Sequence, residues 1–472
     1  MSFIRYKKLG KQEYAYKVTA YWDKERKKPR QRVKYLGTVI DKEKGVIEKK
    51  MKKGKEKLIL DFGDVYVLEE FMKKEGLINL IGDVFVDRWV DILTIISYRI
   101  CNNMAMRYCY DWYEGNIVRY LFKGARVSSQ QISELLVEIG QESIQREFFK
   151  KYIEKVGGRG EEGIIIDTTG LPNQINMDIN EWGYTDGKIE EEIKFLFVVD
   201  KGKGLPLFFR YLPGNIVDVS SLDRTIEEMK KYGIKGGFVL IDAGFYSEDN
   251  IKGLYSAKID FLTRLPAGRK LYKDLIRKYG GKIEKFKNVV KYGERVLFIE
   301  EKKVEMFGQK GYGYIILDPE KKGRETRKYL LNTLGEEKQE EDIEFELKKK
   351  GIIILVSSFQ IKKEEVMNYY YLRQRVEYLF RIIKDDLKLI PLRVHKEEGL
   401  RGYLLLMFIT LVVYALLKER IAGKYTVEEV LLKMRNLKCK IYEDEIIISE
   451  QTKQQKEITE TLNIIMPKNM GI

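Results

Sequence analysis

Tyr370, Arg373, Glu377 and Lys384 fall within NYYYLRQRVEYLFRIIKDDLK, Asn368 to Lys388, which no Gly or Pro interrupts. Apolar residues recur there at helical spacing, so the stretch is expected to form one amphipathic helix. At 3.6 residues per turn each residue advances about 100°. Leu372, Val376, Leu379, Phe380, Ile383 and Leu387 then gather on one face, the expected core side. Tyr370, Arg373, Glu377 and Lys384 share a separate stripe of roughly 60°, expected to point away from the core. One carboxylate flanked by phosphate-binding cations is what metal-dependent chemistry on a nucleic-acid backbone needs. A plainer reading stands beside it: Arg373 with Glu377, and Glu377 with Arg381, are four apart, and such pairs are common on solvated helix faces.

Two further carboxylates follow apolar runs. GIIIDTTG places three isoleucines before Asp167, the pattern of a strand buried on both faces whose acid emerges at its end. GFVLIDAGFYS repeats it, with Phe238 to Ile241 delivering Asp242, and Ala243 and Gly244 leaving room for close approach. Position after a strand does not by itself single out a catalyst, since Asp200 ends IKFLFVVD in the same manner. Asp178, Asp186, Asp218, Asp385 and Asp386 are other candidates that spacing leaves open.

The histidine and cysteine counts exclude more than they suggest. His395 is the one histidine, so a zinc site built on several is impossible, and its setting in PLRVHKEEG fits a surface or capping residue. Cys101, Cys109 and Cys439 form no CxxC pair, which argues against structural zinc and a disulfide framework. Carboxylates are therefore the available chemical groups, and two or three of them suit a hard cation such as Mg²⁺ or Mn²⁺. The net charge of +15 favours a polyanionic partner. No basic amphipathic anchor or lipidation motif points to a membrane, and MSFIRYKKLGKQEYAYK lacks the apolar core of a signal peptide. The longest apolar run, Tyr403 to Leu417, is short for a span and reads as a buried helix. The expected location is cytoplasmic.

The elements that must position these groups are expected as follows. A chain of 472 residues exceeds one ordinary core, so roughly two to four domains are expected. Residues 1–57 alternate as a basic β-ribbon with a linker; the ribbon's turn, DKERKKPRQR from Asp23 to Arg32, either grips DNA phosphates or is a solvated turn. Residues 58–157 carry helical periodicity and form a helical domain with a conceivable DNA-binding role. From 158 to 266, strands alternate with a capped helix, describing the first part of a ribonuclease-H-like α/β catalytic core in which Asp167 and Asp242 can lie on neighbouring strands. Residues 267–350 read as a β-rich insertion, 351–420 as the second part of the core with the Glu377 helix, and 421–472 as a helical C-terminal tail.

Tyr370, Arg373, Glu377 and Lys384 together match Y-x2-R-x3-E-x6-K, which resembles the signature of insertion-sequence DDE transposases carrying a β-rich insertion between the second aspartate and the glutamate. IIIDTTG and VLIDAGFYS resemble the motifs around that family's two aspartates, and LPGNIVDVSSL, Leu212 to Leu222, resembles its GN-x2-D segment. The resemblance is strongest from Gly163 to Arg420. It implies a DNA transposase in which Asp167, Asp242 and Glu377 hold two Mg²⁺ ions, with Mn²⁺ as a substitute. Tyr370, Arg373 and Lys384 would contact the DNA backbone near the scissile phosphate. Cleavage at transposon ends followed by 3′-end joining to target DNA, by a homodimer on paired double-stranded ends, is the implied activity. The rival readings are a nuclease or resolvase on the same fold without joining, and a non-catalytic DNA-binding protein derived from a transposase.

Overall fold

The computed structural model describes residues 2–471 apart from 10–11, 24–27, 42–45, 49–55, 158–159, 161, 174, 176, 186–187, 216–220 and 335–338. The chain divides into two compact units. One gathers Met1–Ile59, Cys439–Ser449 and Pro467–Ile472, and the other holds Leu60–Lys438 with Glu450–Met466.

In the first unit, β1 (Ser2–Leu9), β2 (Gln12–Asp23), β3 (Lys28–Asp41) and β4 (Val46–Glu48) form an antiparallel sheet in chain order. The sequence assigned Lys28 to Arg32 to the hairpin turn. Instead these residues continue β3, where Arg30 pairs in register with Tyr21 and Arg32 with Thr19.

The chain continues through β5 (Leu58–Asp61) into α1 (Gly63–Lys74), α2 (Leu77–Val84), α3 (Trp89–Cys101), α4 (Cys109–Glu114), α5 (Val118–Leu121), α6 (Ser129–Ile139) and α7 (Glu142–Tyr152). The start of α6 is fixed by a capping box, in which Ser128 accepts from the Gln131 amide and the Gln131 side chain accepts from Ser128.

Next come β6 (Ile164–Pro172), β7 (Glu181–Thr185), β8 (Lys188–Asp200), β9 (Pro206–Pro213), α8 (Leu222–Lys231), β10 (Phe238–Ile241), α9 (Glu248–Ser256) and β11 (Asp260–Arg264). α10 (Lys270–Tyr279), β12 (Val289–Tyr292), β13 (Arg295–Met306), β14 (Gln309–Leu317), α11 (Pro319–Thr333), α12 (Glu340–Lys349) and β15 (Ile352–Ser357) complete the sheet. Its order is β12-β13-β14-β15-β11-β10-β6-β8-β7, with β9 on β8. β10 runs parallel to both β6 and β11, whereas β8 and β15 are antiparallel to their partners, so the sheet is mixed. Its centre is buried on both faces, which is why IIID and FVLID read as near-continuous apolar runs.

Residues 267–350 depart from the β-rich expectation. Among the described residues, three strands extend the main sheet through β14 on β15, and three α-helices accompany them. The polar Lys/Glu-dense stretches fold as helix because their charges fall at helical spacing, as in Lys321–Glu325, Lys348–Glu344 and Lys350–Glu346. Asp318 caps α11 ahead of Pro319 at the first helical position, where a missing amide proton costs nothing.

α13 (Val366–Tyr371), α14 (Gln374–Arg381), α15 (Glu397–Ile421), α16 (Val427–Arg435) and α17 (Lys453–Thr461) follow. The expected helical tail also contains β16 (Lys438–Ile441), β17 (Glu445–Ile448) and β18 (Asn469–Gly471), paired antiparallel as β16–β17 and β17–β18. α15 is long and apolar enough to cross a membrane, and 89% of its most apolar window is buried within the protein. Phe408 on α15 meets Phe148, Phe149 and Tyr152 of α7, Phe197 of β8 and Phe209 of β9. On its other flank α15 meets α6 almost backbone to backbone. A Cβ added at Gly402 would stand 1.8 Å from the Leu136 carbonyl oxygen, and one at Gly140 would stand 1.9 Å from that of Glu398. Since a carbonyl within a helix cannot swing aside, Gly402→Ala is expected to cost at least the usual 1–3 kcal/mol of overpacking, about that order. Urea denaturation checks it, and an unchanged midpoint would show that α6 and α15 separate freely.

Candidate active site

The parallel pairing of β10 with β6 sets Val239 beside Ile164, Leu240 beside Ile165 and Ile241 beside Ile166. One residue further along, Asp242 follows the end of β10, whereas Asp167 lies inside β6, which runs on to Pro172 paired with β8, so the acid expected at the end of that strand sits within it. Asp200 is removed from this pair by topology. β8 runs antiparallel, so Asp200 pairs with Ile164 at the opposite end of β6, where its carboxylate accepts from the Lys203 amide at 2.6 Å. Asp178 lies in an exposed turn, and Asp385 and Asp386 are exposed beyond α14. Asp186 and Asp218, with the GN-x2-D segment from residue 216 onward, lie outside the described residues.

Glu377 reaches the aspartates through an aromatic contact. Phe197 is the cross-strand partner of Asp167 and shares its face of the sheet. Phe380, three residues after Glu377, stacks on Phe197 with ring centroids 4.9 Å apart and planes 16° apart. Residues three apart share one side of a helix, so seating Phe380 on the sheet carries Glu377 to the strand ends.

The helix that bears Glu377 is not continuous. α13 ends at Tyr371 and α14 begins at Gln374, and a five-residue π-helix spans Ile382–Asp386. Around the break the bonds tighten to i→i−3, from the Leu372 amide to Tyr369, Arg373 to Tyr370, and Val376 to Arg373. The consequence is a correction to the expected outward stripe. Arg373 turns inward, with 13% of its side chain exposed, whereas Glu377 keeps 58%.

Arg373 stands among all three acids. Its Nη1 donates to Asp242 Oδ1 at 2.6 Å, its Nη2 donates to Asp167 Oδ2 at 3.2 Å, and Nη2 lies 3.6 Å from Glu377 Oε1. Tyr370 keeps its ring centroid 6.0 Å from the guanidinium carbon. Lys384 is directed to β6, donating to the Thr169 hydroxyl at 2.7 Å. Two contributors escaped the sequence reading, Thr169 and Thr263, whose hydroxyl donates to the Asp242 carbonyl at 3.2 Å, as did Arg375, which anchors α14 away from the aspartates by donating to the carbonyls of Lys201 and Gly202. Only the TTG after Asp167 hinted at the first, and the others depend on tertiary neighbours.

Burial pushes the Asp167 carboxyl up from 3.8 to about 6; Arg373 pulls it back down and the Asp242 charge adds to the rise. The same acids raise Arg373 against the opposing effect of its own burial.

Among the described residues no three His, Cys, Asp or Glu side chains are set, as they stand, to hold a metal ion. The guanidinium takes the space between them. The donors nevertheless fit a hard divalent cation. All three are carboxylates, and when ionised they exceed the Arg373 charge by two. Arg373 Nε is buried without a hydrogen-bond partner, so the arginine is incompletely satisfied where it lies.

Comparison with known proteins adds a family. Residues 158–413, more than half of the chain, match the family of the transposase DDE domain. The chain belongs to the DDE transposases. Members of this family use divalent metals. No curated protein matches the chain. Among solved structures, a cryo-EM structure of the piggyBac transposase synaptic complex with hairpin DNA is similar at 11% identity and a TM-score of 0.42, over 79% of each chain.

Because the folded transposase holds the Asp167 proton more tightly than the unfolded chain does, the associated stability is fully present below about pH 4 and is lost as pH rises through about 6. Asp167→Asn mimics the protonated form. In metal-free buffer at pH 7.5 it is expected to raise stability by up to roughly 3 kcal/mol, with the gain vanishing near pH 4. Denaturant unfolding across that range checks it. A less stable variant at pH 7.5 would mean that the Arg373 ion pair outweighs the cost of burying the charge.

Proposed function

We propose that this DDE transposase cleaves DNA at the ends of its own element and joins the freed 3′ ends to target DNA. The convergence of Asp167, Asp242 and Glu377 on one guanidinium, from positions up to 210 residues apart, is the observation that carries the reading. The central strands β6, β8, β10 and β11 with α14 correspond in this reading to a ribonuclease-H-like core, and residues 267–350 to the insertion between the second aspartate and the glutamate.

Asp167, Asp242 and Glu377 would hold two Mg²⁺ ions, for which Mn²⁺ substitutes. Bound there, the ions supply an activated water or 3′-hydroxyl and stabilise the leaving oxygen of an in-line phosphoryl displacement. The protein's own groups do the rest. In the resting site Arg373 neutralises the acids and prevents their mutual repulsion. In the working site the guanidinium turns out to a backbone phosphate, which it can engage through two parallel hydrogen bonds. The broken helix at Leu372 and Arg373 provides the place for that turn. Lys384 exchanges the Thr169 hydroxyl for a phosphate as a point charge, and the Tyr370 hydroxyl offers a further contact. Two ends must be held at once, so the acting form is a homodimer on paired double-stranded ends. Its location is the cytoplasm.

A DNA fragment carrying the gene with its native flanks tests the chemistry. Unaltered protein with Mg²⁺ is expected to yield cleaved ends and joined product, while Asp242→Asn and Glu377→Gln lose both by at least a hundredfold and still bind DNA. Cleavage without joining would replace the transposase reading by a nuclease or resolvase. Cleavage by Glu377→Gln would remove that residue from the triad.

Arg373→Gln separates the two roles given to the arginine. Without DNA it is expected to bind Mn²⁺ at least tenfold more tightly than the unaltered protein, by calorimetry or electron paramagnetic resonance, because the competing cation is gone. Its cleavage is expected to fall, because the phosphate contact is gone as well. Unchanged Mn²⁺ affinity would mean that Arg373 does not compete for the acids.

A further inference from the structure

The chain's positive charge is concentrated at one end. Residues 1–59 contain 20 Lys and Arg against 7 Asp and Glu, a net charge of +13 out of the whole chain's +15. The remaining residues, which include the acidic triad, are close to neutral. Whatever polyanion the composition points to is therefore addressed chiefly by this segment.

The β-sheet sorts that charge by face. Successive residues of a strand point to opposite sides, and register then fixes which residues of neighbouring strands lie together. On one face, Phe3, Val18 and Val33 form a row, and Arg5, Tyr16 and Tyr35 form the next. Tyr16 and Tyr35 rings lie 5.4 Å apart, Tyr14 and Tyr35 rings 6.3 Å apart, and Arg5 donates to the Gln31 side chain. Pro29 and Trp22 extend this face. It is chiefly aromatic and apolar, with Arg5 and Lys7 on β1.

The other face is basic. Ile4, Lys17 and Lys34 form one row, Ser2, Thr19 and Arg32 the next, then Tyr21 with Arg30, and Lys28 at the end of β3. Lys17, Lys28, Arg30, Arg32 and Lys34 are all exposed. Glu13, which alternation assigns to this face, lies near the start of β2 in register with Lys8, and the rows of Lys34, Arg32 and Arg30 contain no acid. Along β3 the four cations recur every second residue and span about 20 Å at the usual rise per residue. Over that length each strand of a duplex presents about six phosphates.

We propose that this face of the β1–β3 sheet is a sequence-independent binding surface for the phosphate backbone of double-stranded DNA. A strand bearing cations at every second position, with Lys17 beside it on β2, can follow a backbone, while Tyr16, Tyr35 and Trp22 are turned to the opposite side. Lys17, Arg30, Arg32 and Lys34 bind phosphates; nothing on this face reads bases. The inference rests on the DNA-acting function proposed above, and it assigns a grip on DNA that is separate from Tyr370, Arg373 and Lys384.

The test uses the full-length protein and two 30-base-pair duplexes of unrelated sequence, with affinity followed across a salt series. The triple variant Lys17→Thr, Arg32→Thr, Lys34→Thr keeps residues that favour strands. It is expected to bind both duplexes at least tenfold more weakly, with the slope of log affinity against log salt flattened by about 2–3. The charge-keeping triple Lys17→Arg, Arg32→Lys, Lys34→Arg is expected to retain the unaltered slope. Equal affinity and slope in the Thr triple and the unaltered protein would overturn the proposal while leaving the transposase reading intact. A loss confined to one duplex would overturn it in favour of base recognition. Failure of the charge-keeping triple to bind would overturn it in favour of a merely structural role for these positions. Absence of duplex binding by the unaltered protein would overturn both this inference and the function on which it rests.

Discussion

Three carboxylates drawn together repel one another, and the buried one, Asp167, also loses water that stabilised its charge. Everything around Asp167 answers that constraint. Arg373 is held between the acids by two hydrogen bonds and a close ion pair, and the Asp167 carboxyl is nonetheless pushed up to about 6. The Arg373 guanidinium offsets one of the three carboxylate charges.

That arrangement depends on rigid elements that bring remote residues to one point. Two aspartates are aligned by parallel pairing of β10 with β6, which fixes their relative position through backbone hydrogen bonds alone. The glutamate is delivered differently, by the stacking of Phe380 on the cross-strand neighbour of Asp167. Phe197 also meets Phe195 and Phe408, so the same aromatic layer ties β8, α14 and the buried α15 together. Backbone pairing and aromatic packing thus divide the work of placing three acids.

Charge is divided along the chain as well. The acids of the site belong to a region whose overall charge nearly cancels, while the surplus of Lys and Arg is gathered in residues 1–59.

Much of this was legible in the sequence because it rests on local pattern. IIID and FVLID announced strands buried on both faces, the i, i+4 spacing of Arg373 and Glu377 announced their mutual reach, and the alternation of Tyr14, Tyr16 and Val18 announced a strand. The helices of residues 267–350 and the short strands near the C-terminus were not announced, because charged amphipathic segments and three- or four-residue strands take their state from neighbours. Spacing alone could not separate Asp167 from Asp200, since both follow apolar runs; only antiparallel pairing sends Asp200 to the far end of β6. Nor could it foresee that the helix breaks at Leu372 and turns Arg373 inward, because a uniform 100° step assumes unbroken i→i−4 bonding. Sequence by itself determined which groups were available and which lay within a few residues' reach of one another. Tertiary structure decided which of them meet, because strand direction, register and one aromatic contact are properties of pairs of segments that no single segment contains.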